Sequence, residues 1–183
     1  KKKIIIKRLD SIQNFGAMDI LCVDKTGTLT LDEVVLIKHC DTEFKENEDV
    51  FRDAYINSFY QTAMSNLLDK AVVKHGKFDI RSFKKVDEIP FDFFRRMVSV
   101  VVEKDGEHKL IIKGAPEEVF SRCGHYELNG EIYPLDKEKI KQFKKKYEEL
   151  SADGFRVLAV AFRNFKNKKE VYTKDNESDL IFR

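Results

Sequence analysis

Two kinds of apolar patterning divide this chain at about residue 34. Before that point stands one short continuous run, Ile20, Leu21, Cys22 and Val23, closed by Asp24. A run without polar interruption reads as a strand covered on both faces, since a strand with one wet face would alternate. After it, apolar residues recur at helical spacing and at alternate positions. Residues 34–40 read as a strand entering a second domain. Residues 50–63 and 67–75 read as two helices, the second with Leu67, Leu68, Ala71 and Val72 on one side. Residues 86–89, 97–103 and 109–113 read as strands, the last two joined at Asp105-Gly106, a pair that tolerates the positive φ of a tight hairpin. Asn129-Gly130 marks a second hairpin, between 126–128 and 131–133. Pro116 opens a short helix to residue 123, in the first turn where its missing N–H is not needed. Asp136 caps a lysine-rich helix with Ile140, Phe143, Tyr147 and Leu150 on one face; Gly154 ends it, and 155–162 is a last strand. The tail 166–178 is polar and expected to be mobile. Hairpin-joined strands with helices between them predict an α+β domain, an antiparallel β-sheet flanked by helices.

Composition narrows the function more by exclusion than by suggestion. In 183 residues, 42% apolar content and 15 Phe are ample for one substantial core. No apolar stretch approaches bilayer-spanning length and no signal-peptide pattern occurs, which predicts a soluble piece. Three widely spaced cysteines, Cys22, Cys40 and Cys123, fit neither a disulfide framework nor a zinc site, and a reducing compartment is the natural reading. With 34 basic against 32 acidic residues, the net charge of +2 makes no case for a nucleic-acid partner. The cluster Lys1, Lys2, Lys3, Lys7 and Arg8 around three isoleucines suits either the cytoplasmic flank of a membrane helix or an ordinary solvated terminus. Lys144, Lys145 and Lys146 read as the solvated face of their helix.

Chemistry concentrates where the first apolar run ends. In open α/β sheets reacting groups sit beyond the carboxyl ends of buried strands, so Asp24 is placed like a nucleophile. Its carboxylate can attack the terminal phosphoryl group of ATP to give an acyl phosphate, with Mg2+ screening the repulsion. Thr26, Gly27 and Thr28 offer hydroxyls and backbone N–H groups for a concave anion site. Thr26 stands where a phosphatase would need a second carboxylate as general acid and base, so the acyl phosphate should persist. The string Asp24 to Thr30, DKTGTLT, resembles the phosphorylation motif of the P-type ATPases, cation pumps that work through an aspartyl phosphate. The resemblance implies Asp24, Lys25 and Thr26 as the catalytic group, and Asp24 and Thr26 as metal contacts that need further acidic motifs, TGD and GDGxxND, absent here. This piece alone is therefore expected to be inactive.

The remainder is similar to the nucleotide-binding domain of the same family. There is no GxxxxGK[ST] or GxGxxG loop, so ATP would bind by another arrangement. Taken singly, Lys113 reads as a strand-end lysine and Phe91 as core. Within KGAPE, residues 113–117, the resemblance puts Lys113, Gly114 and Ala115 at the adenine pocket, the glycine letting a planar ring approach the backbone. It makes Phe91 the stacking platform, with Arg96, Val98 and Ser99 at the expected spacing beyond it. Phe93 stands where some pumps carry a basic residue, which leaves Arg95 or Arg96 as the substitute for phosphate contact. Arg156 and Leu158 match a GxRxL pattern, the guanidinium suited to phosphate and the leucine to base or ribose. Asp69 matches a position where many pumps have Glu to accept the adenine amino hydrogens. A helix-surface carboxylate remains the bland alternative there.

These readings give three parts: 1–33, a membrane-proximal linker and the first strand of a Rossmann-like phosphorylation domain; 34–165, the nucleotide-binding domain; and 166–183, a return linker. Residues 12–19 and 90–100 resemble the bacterial magnesium-transporting branch. The implied partners are ATP, the phosphorylation, actuator and transmembrane domains of the same pump, and Mg2+ as cargo. The implied location is the cytoplasmic side of an integral plasma (inner) membrane protein. A phosphatase or phosphotransferase of the haloacid dehalogenase type, and a non-catalytic nucleotide-binding module, are the alternatives.

Overall fold

The computed structural model describes residues 5, 7–24, 33–62 and 66–183. It divides the chain into two units, Lys1–Glu33 and Val34–Arg183. In the first, Ser11–Gly16 forms a short helix, α1. The strand expected at 20–23 is not formed: residues 20–24 carry no strand, and Ile20 is 81% and Leu21 63% exposed. A strand exists only through a ladder partner, and the described residues of this unit supply none. The Rossmann-like expectation therefore has no counterpart among the described residues. Lys25 to Thr30, and with them Thr26, lie outside those residues.

The second unit is built on one seven-stranded sheet of order β1-β2-β3-β6-β7-β4-β5. Its strands are β1 (Lys84–Asp92), β2 (Met97–Lys104), β3 (Glu107–Gly114), β4 (Cys123–Leu128), β5 (Glu131–Pro134), β6 (Ala159–Phe165) and β7 (Leu180–Phe182). The helices are α2 (Glu48–Tyr60), α3 (Leu67–His75), α4 (Pro116–Phe120) and α5 (Lys137–Ala152). All pairings are antiparallel except β4 with β7, which is parallel. Both hairpin turns form as the dipeptides require, with positive φ at Asp105 and Gly106 and at Asn129 and Gly130. Asn47 caps α2 through Asp49 and Val50 N–H, Asn66 caps α3, and Asp136 caps α5 through Lys139 N–H at 2.7 Å.

The run Met97 to Val102 is buried on both sides of the sheet, and each side has its own core. Val100, Val102, Ile111 and Val160 pack under α2 and α3, against Val50, Phe51, Ile56 and Val72. Met97, Val101, Leu110, Ile112 and Ala161 face the opposite side, with Val119 of α4, Tyr172 and Leu180. Asp53 of α2, itself buried, receives Lys109 Nζ at 2.8 Å and Arg183 Nη1 at 2.8 Å, while Arg183 Nη2 reaches both carboxylate oxygens of Glu127.

Two further expectations are corrected. Residues 34–40 make no strand beyond a single bridge between Cys40 and Glu46; Leu36 packs inward while Val35 and Ile37 stay exposed, and the His39 carbonyl accepts the Asn47 N–H at 2.9 Å, so one side chain and the backbone at its far end fasten the segment. The tail is not a polar linker from 166 to 183. Tyr172, Glu177 and Leu180 are buried, a 3-10 turn spans Lys174–Asn176, and β7 lies inside the sheet between β6 and β4. A three-residue strand carries too few apolar positions to stand out in sequence, yet one buried Leu and two ladder neighbours hold it. Among the described residues no helix is long and apolar enough to cross a membrane.

Candidate functional site

Asp69 and Lys113, read separately in the sequence, meet in the interior. Lys113, the last residue but one of β3, lies on the α2–α3 side, where its neighbour in register is Val98 of β2. Asp69 lies in the first turn of α3, placed by the Asn66 cap on its own N–H at 3.0 Å. The Lys113 ammonium donates to one Asp69 carboxylate oxygen and to Ser58 Oγ of α2, and Gln61 donates to the other Asp69 oxygen. Lys113 is only 5% exposed and Asp69 2%. Burial pushes the Lys113 ammonium below the usual lysine range, with the facing Asp69 carboxylate pulling the other way. Asn57, one residue before Ser58, is fully buried and donates to the carbonyls of Val98 and Ile111 at 3.2 and 2.8 Å. It pins α2 across β2 and β3 beside the ion pair. Ser58, Gln61 and Asn57 carried no motif; the only sequence signal was the polar pair Asn57-Ser58 on a helix whose other buried positions are mostly apolar, with Gln61 just past its end.

The neighbouring sites divide by strand alternation. Val98 shares the face of Lys113, but Ser99 points to the other side, fully buried, and donates to Glu177. Ser99 is therefore a support of the opposite core and not a neighbour of Lys113. Gly114 is small for an internal reason: a Cβ there would lie 2.5 Å from Met97 Cβ and 2.6 Å from the Arg96 carbonyl oxygen. Ala115 caps α4, and its N–H donates to the same carbonyl at 3.0 Å. Neither arginine proposed as a substitute phosphate contact is unpaired. Arg96 holds Glu117 at 2.9 Å and Glu118 at 3.0 Å, and Arg95 is buried against Glu177.

Phe91 sits on an irregularity in β1 between Ile89 and Asp92, 46% exposed, with the Phe93 ring edge-on at 5.3 Å. It lines an open hollow of about 450 Å3 whose other walls are Ile89, Pro90, Asp92, Phe93, Phe94 and Lys174; Lys113 is not among them. Arg156 is exposed and makes no hydrogen bond or ion pair among the described residues, and Leu158 is half-buried. Both precede β6, which enters the sheet with Ala159 opposite Gly114, so they reach the same end of the sheet as KGAPE. Asp24 belongs to the other unit and is exposed. Among the described residues no group of three or more His, Cys, Asp or Glu side chains is gathered as a metal site. The cysteines are free, and burial pushes the Cys123 thiol up to about 12, which leaves it unreactive near neutrality.

A mostly antiparallel sheet with helices on it, a buried lysine at the KGAPE strand end and an aspartyl motif upstream agree with the comparisons. Residues 30–183 match the family described as P-type ATPase, cytoplasmic domain N, and the chain belongs to that family. It is 48% identical over 187 aligned residues to the "Magnesium-transporting ATPase, P-type 1" of Escherichia coli (strain K12), covering 99% of this chain and 21% of that protein. Identity to the protein of the same name from Salmonella typhimurium (strain LT2) is 46% over 188 residues, with the same coverage. The "Calcium-transporting ATPase 1" of Lactococcus lactis is 25% identical over 203 residues, covering 99% of this chain and 23% of that protein. The chain spans about a fifth of the length of these curated relatives.

Replacing Lys113 by Ala leaves the Asp69 carboxylate buried without its cation, and a broken buried pair costs about 3–5 kcal/mol. Urea unfolding of Lys113→Ala is expected to show a loss of that size, against which any effect on ligand binding must be read. A second expectation concerns Asp92, whose carboxyl is lowered from 3.8 to about 2, first by the Lys174 ammonium and then by the Phe94 N–H. A depressed folded-state value contributes stability above the unfolded value that is lost as pH falls from 3.8 toward about 2. Carboxyl NMR titration should place the Asp92 midpoint near 2, and Lys174→Ala should move it back up toward 3.8.

Proposed function

We propose that Val34–Arg183 is the ATP-holding module of a magnesium-transporting P-type ATPase, and that ATP held there phosphorylates Asp24. The observation that carries the reading is the buried Lys113–Asp69 pair with Ser58 and Gln61. Two charges inside a sheet core cost desolvation that apolar residues of the same volume would avoid, so stability alone does not account for them. At that place Lys113 offers a cation and Asp69 an acceptor to a purine. Phe91 offers an exposed aromatic face, and Arg156 five donors, unpaired among the described residues, for phosphate. Val98 and Leu158 supply apolar walls at the same end of the sheet.

Binding of ATP would require the Lys113–Asp69 pair to open toward the ligand. Asp24 would then take the terminal phosphoryl group: a bond forms between the carboxylate oxygen and phosphorus, the bond to the bridging oxygen breaks, and ADP leaves. Thr26, with Asp24, would contact Mg2+. The printed names of the relatives at 46–48% identity support magnesium as the transported ion. On this reading the partners are the phosphorylation, actuator and transmembrane domains of the same protein, and the module lies on the cytoplasmic side of the plasma (inner) membrane.

Titration of the 183-residue chain with ATP, followed by amide chemical shifts, should perturb residues around Phe91, Lys113 and Arg156. Phe91→Ala should weaken binding roughly twofold to twelvefold, from the loss of about 0.5–1.5 kcal/mol of stacking. Absence of any shift change at high ATP would sink the nucleotide role. In the intact pump, labelled phosphate from ATP should be found on Asp24 and lost in Asp24→Asn; label retained by that variant would remove Asp24 as the nucleophile.

A further inference from the structure

The segment after β6 does more than return the chain. It crosses the face of the sheet opposite Lys113 and fastens itself to the stretch that carries Phe91. The tethers run in sequence order. Tyr172 is buried beside Leu110 and Phe165; its N–H donates to Asp87 Oδ2 at 2.7 Å, and its hydroxyl lies 2.7 Å from His108 Nδ1. Lys174 Nζ donates to Asp92 Oδ2 at 2.6 Å. Glu177, 2% exposed, accepts from Arg95 Nη1 and from Ser99 Oγ through one carboxylate oxygen, while Arg95 Nη2 donates to the Pro90 carbonyl at 2.6 Å. Asp92 in turn receives the Phe94 N–H at 2.9 Å, and the Arg96 N–H donates to the Asp92 carbonyl at 2.6 Å.

These bonds hold Pro90, Asp92, Phe94 and Arg95, the residues on either side of Phe91, at the point where the β1–β2 register breaks. Phe91 itself is held by no ladder and stays half exposed. A ring on an irregular stretch would ordinarily lose freedom when a ligand orders it, and prior fixing of its backbone removes that cost. Glu177 Oε2 and Arg95 Nε are buried without a hydrogen-bond partner among the described residues, Arg95 Nε having only the Asp92 carboxylate at 3.9 Å, so the pair is under-satisfied, a poor arrangement if stability were its only use.

We infer that Glu177 and Arg95 are positioning residues for the Phe91 platform, so that nucleotide affinity depends on an ion pair on the far side of the sheet that never touches the nucleotide. The inference rests on the nucleotide reading above. It has a readout of its own, which separates the two. In the nucleotide-free 183-residue chain, Glu177→Gln keeps shape and an acceptor but removes the charge that holds Arg95. Amide hydrogen exchange at residues 93–96 is expected to rise at least tenfold in that variant, while α2 and β3 amides keep their protection.

ATP affinity of Glu177→Gln, measured by calorimetry, is expected to fall at least fivefold. Adding Phe91→Ala to it should cost little more, because the two substitutions remove the same contribution. Arg95→Lys should lie between wild type and Glu177→Gln. Lys174→Ala, which cuts only the exposed tether, should loosen 93–96 about twofold to threefold without threatening the fold, and it keeps the test decisive if Glu177→Gln is unstable. Wild-type exchange at 93–96 in both variants, wild-type ATP affinity in Glu177→Gln, or full additivity with Phe91→Ala overturns the assignment. A wild-type chain that ignores ATP while Glu177→Gln still loosens 93–96 overturns the nucleotide reading, and the platform role with it.

Discussion

Burial of β2 and β3 on both faces is the constraint on which the rest of the second unit depends. Once α2 and α3 cover one side and α4, Tyr172 and Leu180 the other, any polar group in these strands must find a partner inside. Four do so in different ways. Lys113 reaches Asp69 and Ser58, Ser99 reaches Glu177, His108 meets the Tyr172 hydroxyl, and Lys109 reaches Asp53. Each bond joins a sheet strand to a segment distant in sequence, so the polar exceptions stitch the layers together where apolar packing alone would leave register and orientation less determined.

The two faces divide the labour. Under α2 and α3, Asn57 draws helix and strands together and Lys113–Asp69 gives that side a buried, charged corner. On the opposite side, the strap from Tyr172 to Glu177 holds the irregular end of β1. Neither buried pair is a cheap source of stability, since apolar residues of matched volume do as well or better while removal of one partner is severe. Their common effect is to hold particular backbone atoms in place, and both lie at the end of the sheet where KGAPE, Phe91 and the approach to β6 gather.

Features set by neighbouring residues were legible in the chain itself. Asp105-Gly106 and Asn129-Gly130 make their turns because positive φ at both positions is a local demand. Helix α3 has the predicted bounds, Leu67–His75, because its cap and its apolar face lie within ten residues. The aspartyl and KGAPE strings were legible for the same reason. Features set by a distant partner were not. Residues 20–23 have strand composition without a ladder, 34–40 are fastened by one inward side chain and a single bridge at the end, and β7 is too short to show a period. Ser99 and Val98 look equivalent in a list of spaced positions, and only the pleat separates them onto opposite faces.

The sequence by itself determined the family, the α+β class, most of the helices and hairpins, and the aspartyl and KGAPE strings, because local propensity and short contiguous strings encode these. Tertiary structure alone decided that Asp69 and Lys113, 44 positions apart, neutralise one another, and that Glu177 and Arg95, 82 apart, brace the stretch around Phe91. The physical reason is that a charge can be buried only against its partner, and which partner it finds depends on how the layers close.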